Sequence, residues 1–110
     1  MPPKLSTHIL DTASGCPAVG VRIQLYRGET MLADVLTNAG GRCDAPLLEG
    51  DAVQPGAYQL RFHMGDYFRS RGLASPFLEI VRIDFNMTAG ESYHVPLVCS
   101  PWSYSTYRGS

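Results

Sequence analysis

The sequence predicts an all-β protein, a two-sheet sandwich of seven or eight short strands with one short helix at about 66–72. Two observations carry this expectation. Short alternating or β-branched runs recur along the chain, and Gly, Pro and Asn separate them where turns belong. A single segment breaks that rhythm, with the capping residues of a short helix.

The first strand is expected over Leu5–Leu10, with Leu5, Thr7 and Ile9 on one face and Ser6, His8 and Leu10 on the other. After the turn Ser14-Gly15-Cys16-Pro17, strands are expected over Val21–Tyr26 and Thr30–Leu36, joined through Arg27-Gly28-Glu29. Asn38-Ala39-Gly40-Gly41 turns the chain again, and a shorter strand sits near Arg42–Asp44. Gln54-Pro55-Gly56 precedes a strand over Tyr58–Met64, in which Tyr58, Leu60, Phe62 and Met64 face inward while Arg61 and His63 face out. The helix follows, with Asp66 as N-cap and Gly72 at C′. Strands over Ile80–Phe85, Tyr93–Val98 and Trp102–Tyr107 complete the set. In the middle one, Tyr93, Val95, Leu97 and Cys99 form the core side, and His94, Pro96 and Val98 point outward.

A chain of 110 residues has the length of one domain, spanning 1–110. At that size it buries roughly 65% of its unfolded surface, so its core needs no metal or disulfide. Nine basic and ten acidic residues leave a net charge of −1, which gives no footprint for nucleic acid or an anionic membrane. There is no apolar run of membrane-spanning length, and Met1-Pro2-Pro3-Lys4-Leu5 carries no apolar leader region. Cys16, Cys43 and Cys99 are odd in number and widely spaced, which argues for a reducing compartment; the cytoplasm is the expected address.

Histidine is the side chain suited to proton transfer near neutral pH. Two of the three, His8 and His94, fall on outward sheet faces beside Leu10 and Val98, a combination expected of a covered surface and hence of a subunit interface. A neighbouring Arg disfavours imidazolium and keeps such a histidine available as a base. Arg42, following Ala39-Gly40-Gly41, is placed to present a guanidinium to an anionic or oxygen-rich ligand. His63, among polar neighbours, reads as structural. The chain ends in the strand-like Trp102-Ser103-Tyr104-Ser105-Thr106-Tyr107-Arg108-Gly109-Ser110, where a frayed polar tail is more usual.

Leu5-Ser6-Thr7-His8-Ile9-Leu10-Asp11, Gly15-Cys16-Pro17-Ala18, Gly41-Arg42, Tyr93-His94-Val95-Pro96-Leu97 and, above all, the terminal Tyr107-Arg108-Gly109-Ser110 resemble the transthyretin-like 5-hydroxyisourate hydrolases over essentially the whole chain. The resemblance implies a homotetramer, a dimer of dimers joined through edge strands, with active sites in a channel lined by outward sheet faces. It implies a purine-derived substrate opened to 2-oxo-4-hydroxy-4-carboxy-5-ureidoimidazoline, in urate catabolism, without a cofactor. It makes His8, Arg42 and His94 catalytic and brings Tyr107, Arg108 and Ser110 into the pocket.

Opening such a ring takes a base and an oxyanion stabiliser. Either histidine can serve as base, with His94 the first choice; Arg42 then stabilises charge, and Tyr107 forms an aromatic wall. Ser110 fixes the histidine or water, while Arg108 contacts ligand or pairs with the terminal carboxylate. A non-catalytic carrier binding a small ligand in the channel is the alternative. No carboxylate or thiolate lies at ligand spacing beside His8 or His94, so no metal is expected.

Overall fold

The computed structural model describes residues 2–110. Among the described residues nine strands form two sheets, with one α-helix between the sixth and seventh strands and a short 3-10 helix at Gly50–Ala52. The strands are β1 (Lys4–Asp11), β2 (Cys16–Pro17), β3 (Arg22–Arg27), β4 (Thr30–Leu36), β5 (Leu48–Glu49), β6 (Gly56–His63), β7 (Ile80–Met87), β8 (Tyr93–Cys99) and β9 (Tyr104–Thr106), and the helix is α1 (Met64–Ser70). One sheet runs β2-β1-β8-β9, with β5 also paired to β1; the other runs β4-β3-β6-β7.

Alternation along the strands decides the core. Leu5, Ile9, Ile23, Leu25, Leu60, Phe62, Val81 and Leu97 all lie in the core between the sheets, essentially removed from water. Each contributes about 1.5–3 kcal/mol of burial free energy. The inward and outward sets expected for β1, β6 and β8 are the ones observed, except that outward Pro96 is also buried. Thr106 on β9 donates its hydroxyl to the Pro96 carbonyl at 2.7 Å.

The helix differs from expectation. It begins at Met64 and ends at Ser70, two residues earlier than expected at both ends, and Asp66 lies in its first turn instead of capping it. Met64 continues the inward alternation of β6, but it also begins the buried helical set Met64, Tyr67 and Phe68, spaced i, i+3, i+4. Both periods fit Met64, and the helical one wins because the chain turns directly out of β6. Gly72 does take a left-handed conformation, φ +78°, just beyond the helix.

Two further differences concern strand ends. The segment near Arg42–Asp44 makes only one bridge, His8 to Arg42, because the Asn38–Arg42 loop is closed on itself. The last strand is confined to Tyr104–Thr106, since Ser100 and Ser103 close a turn through a 2.9 Å backbone bond that takes Trp102 out of the ladder. The two-residue strands β2 and β5 carry too little pattern to be read from sequence.

At one end of the sandwich α1 is tied to β1 through Asp11, a fully buried carboxylate. It accepts from the Tyr67 hydroxyl at 2.7 Å and the Ser14 amide at 3.0 Å, and Arg71 approaches to 3.9 Å. These donors replace the water that the carboxylate loses on burial.

Candidate active site

The parallel pairing of β1 with β8 sets Ser6 level with His94 and His8 level with Pro96. Side chains at paired positions share a face, so both imidazoles stand on the outer face of the β2-β1-β8-β9 sheet, half-buried.

His8 is held by the loop beside it. The Asn38 side chain accepts from the Gly40 amide at 2.9 Å and the Arg42 amide at 3.2 Å, and donates to Asp44 at 2.9 Å. Gly41 has φ +72°, and a Cβ there would lie 2.6 Å from the Ile9 carbonyl oxygen, so only glycine permits this approach to β1. The loop so closed presents the Gly40 carbonyl 3.0 Å from His8 Nε2. A carbonyl can only accept, so Nε2 carries the proton and neutral His8 keeps its lone pair on Nδ1. Arg42 leaves the same loop exposed, and its guanidinium has no hydrogen bond or ion pair among the described residues.

His94 sits between two neighbours. On one side its Nδ1 shares a 2.9 Å hydrogen bond with Ser6 Oγ. On the other, the Gly109 amide donates to the His94 carbonyl at 2.7 Å, and Gly109 lies against the ring. Burial lowers the His94 pKa from its ordinary value, and the proximity of Arg42, then of His8, lowers it further. The like-charge effect expected from Arg42 is therefore present, second to desolvation. His94 is neutral at neutral pH and its Nε2 has no hydrogen-bond partner among the described residues.

The terminal segment divides its contacts. Ser110 lines a small cleft of about 70 Å³ with Lys4, Ser6, Ser92 and His94. Arg108 does not enter that cleft: its guanidinium lies 4.1 Å from the Tyr93 ring centroid and donates to Glu91 and the Ser92 carbonyl, both at 3.2 Å. Tyr107 lines a separate, mostly apolar cleft of about 230 Å³ with Ile83, Phe85 and Val95. In one chain, then, the structure brings His8, Arg42, His94 and Ser110 to one sheet face, and not Tyr107 or Arg108. His63 is structural, bonded to Gln24 at 2.8 Å.

Sequence reasoning missed Ser6, Asn38 and the contact of Gly109 with His94. Ser6 had one available signal, its place two residues before His8 on the same face; the other two depend on loop closure and strand register. A larger hollow of about 380 Å³ beside β6 and β7 has its polar groups engaged with one another, Arg61 with Gln59 at 2.7 Å and Gln59 with Asp84 at 2.9 Å. Among the described residues no group of three or more His, Cys, Asp or Glu is placed to hold a metal ion.

The fold and this face define a transthyretin-like β-sandwich carrying an imidazole pair and a free guanidinium. The HIUase/Transthyretin family matches residues 5–109, and the chain belongs to it. A 5-hydroxyisourate hydrolase of Pseudomonas aeruginosa is 51% identical over 115 residues, covering 97% of this chain and 91% of its own length. Among solved structures, 5-hydroxyisourate hydrolase of Klebsiella pneumoniae superposes with a TM-score of 0.88 at 39% identity, covering 98% of this chain and 99% of that one. (S)-allantoin synthase superposes at 0.93 with 39% identity, covering 99% of this chain, which spans 44% of that protein.

Proposed function

We propose that this chain hydrolyses 5-hydroxyisourate, as the relatives named for that activity do. The observation that carries the proposal is His94: an imidazole kept neutral by burial and by Arg42, its Nε2 unpartnered, beside a cleft. His94 takes a proton from water, whose oxygen bonds to the ring carbonyl carbon. Arg42 stabilises the negative charge that collects on the carbonyl oxygen. The ring C–N bond then breaks, and the nitrogen leaves with the proton that His94 took from water, which returns His94 to its neutral form. The product is 2-oxo-4-hydroxy-4-carboxy-5-ureidoimidazoline, and no cofactor takes part.

Ser110 contacts water or substrate in the His94 cleft, while Arg108 seats the segment that carries it. Tyr107 forms an aromatic wall only where assembly brings it to a pocket, because in one chain it faces another cleft. The site works within a homotetramer, a dimer of dimers. The half-open outer face bearing His8, His94 and the exposed Leu10 supports this, as such a face needs a second wall to exclude water. No helix among the described residues is long and apolar enough to cross a membrane. The free thiols of Cys16, Cys43 and Cys99 favour a cytoplasmic location.

Incubation with freshly generated 5-hydroxyisourate, followed by ultraviolet absorbance, tests the reading. Decay faster than the spontaneous rate, retained after chelator treatment, is expected. Decay at the spontaneous rate would favour the carrier alternative. Light scattering checks the tetramer independently.

A further inference from the structure

We infer that Ser6 is a positioning residue for His94: its Oγ accepts the Nδ1–H of the imidazole and so leaves the Nε2 lone pair free to take a proton. The inference rests on the hydrolase reading for its kinetic consequence, but the hydrogen bond itself is a property of the folded chain.

A neutral imidazole carries one proton on two nitrogens, and the partner of one nitrogen decides the state of the other. The partner at His94 Nδ1 is Ser6 Oγ, at 2.9 Å, fixed by the parallel register that sets residues 6 and 94 side by side. The opposite side of the histidine is closed by Gly109, so the ring does not turn freely away from Ser6. Nε2 is the nitrogen without a partner among the described residues, and a base working through Nε2 needs its proton on Nδ1. Ser6 also lines both adjoining clefts, one shared with His94 and Ser110, the other with Arg42 and Cys43. Its own O–H is therefore free to donate toward cleft water while Oγ accepts from His94.

The partner's chemistry matters as well. A carboxylate at Nδ1 would favour imidazolium and trap the proton that the base collects. A neutral hydroxyl orients the ring without that electrostatic pull. Burial, Arg42 and His8 all act against imidazolium at His94, and Lys4 and Tyr93 are the further titratable side chains that line its cleft.

The test compares wild type, Ser6→Ala and Ser6→Thr in the full chain, by ¹⁵N NMR of the histidines and by turnover across pH. Wild-type His94 is expected as the Nδ1–H tautomer, and Ser6→Ala should populate Nε2–H. In Ser6→Ala, kcat should fall about 10- to 100-fold with KM changed less than about threefold, as for a misoriented base. The acid limb of its kcat profile should move to lower pH, because imidazolium donates to a hydroxyl more strongly than neutral imidazole does. Ser6→Thr, which keeps the hydroxyl, should restore kcat to within about threefold. A wild-type Nε2–H tautomer, an acid limb moving to higher pH, or an unchanged kcat in Ser6→Ala would each overturn the inference. A wild type that shows the Nδ1–H tautomer but no turnover would sink the hydrolase reading and leave the hydrogen-bond assignment intact.

Discussion

Gly109 lies in contact with the imidazole of His94, so closely that a Cβ at 109 would stand 2.6 Å from His94 Cδ2. The Gly109 amide also donates to the His94 carbonyl at 2.7 Å. The terminal segment is therefore a wall of the histidine site, and the missing side chain is what lets it close. Gly109→Ala forces the ring or the segment to move by several tenths of an ångström or more. We expect kcat for 5-hydroxyisourate to fall by about 10- to 100-fold, because small displacements of a reacting group are costly. Circular dichroism and thermal unfolding should remain close to wild type, since residue 109 lies outside the core. Wild-type turnover in this variant would show that the wall is not needed.

The pH dependence follows from His94. Burial, then Arg42, then His8 push its pKa below the ordinary histidine value. Catalysis needs the neutral form, so a lowered pKa keeps the base active further into acid. The acid limb of the kcat profile is expected below about pH 6.5, the unperturbed value. Replacing Arg42 by Gln removes one like charge, raises the His94 pKa and moves that limb upward, only in part because burial remains. A downward shift in Arg42→Gln would contradict the assignment.

Arg108 is predicted to act through its anchorage. Its guanidinium is occupied by Glu91, the Ser92 carbonyl and the Tyr93 ring. Glu91→Gln removes the negative charge from one of these contacts and should lower kcat/KM by less than about threefold, whereas Arg108→Ala removes all three and should cost about tenfold or more. Steady-state kinetics on both variants and the double variant check this. Anchorage predicts that Glu91→Gln adds little once Arg108 is gone.

A buried hydrogen bond between Tyr67 and Asp11 ties α1 to the end of β1. Burial and the adjacent Asp11 carboxylate hold the Tyr67 hydroxyl protonated well above the ordinary tyrosine range. Tyr67→Phe leaves a fully buried carboxylate short of a donor. We expect a loss of about 1–3 kcal/mol by denaturant unfolding. Activity of the folded fraction should be unchanged, since this cluster lies at the α1 end of β1 and the site lies on the outer sheet face.

The sandwich was legible because period-two alternation survives nearly intact in β1, β6 and β8. It also placed His8 and His94 on outward faces before any pairing was known. Pairing itself was not legible: nothing local in Leu5–Leu10 says that β8 lies parallel to it, so the contact of Ser6 with His94 could not be foreseen. The helix boundary slipped because Met64 satisfies both periods. The resemblance brought Arg108 into the pocket with its role left open between ligand contact and terminal carboxylate, and its partners within the chain, Glu91 and Tyr93, meet it only through tertiary packing. Arg42 was readable from its glycine loop, although the organiser of that loop, Asn38, looks like any turn asparagine.

The most direct test of the account is the turnover of freshly generated 5-hydroxyisourate by wild type, His94→Ala and His8→Ala. The wild type is predicted to accelerate decay well beyond the spontaneous rate. General-base assistance is worth about 10²–10⁴-fold, so His94→Ala should lose about that much in kcat while remaining folded. A loss of less than about tenfold at both histidines would contradict the assignment of the imidazole pair as the catalytic centre.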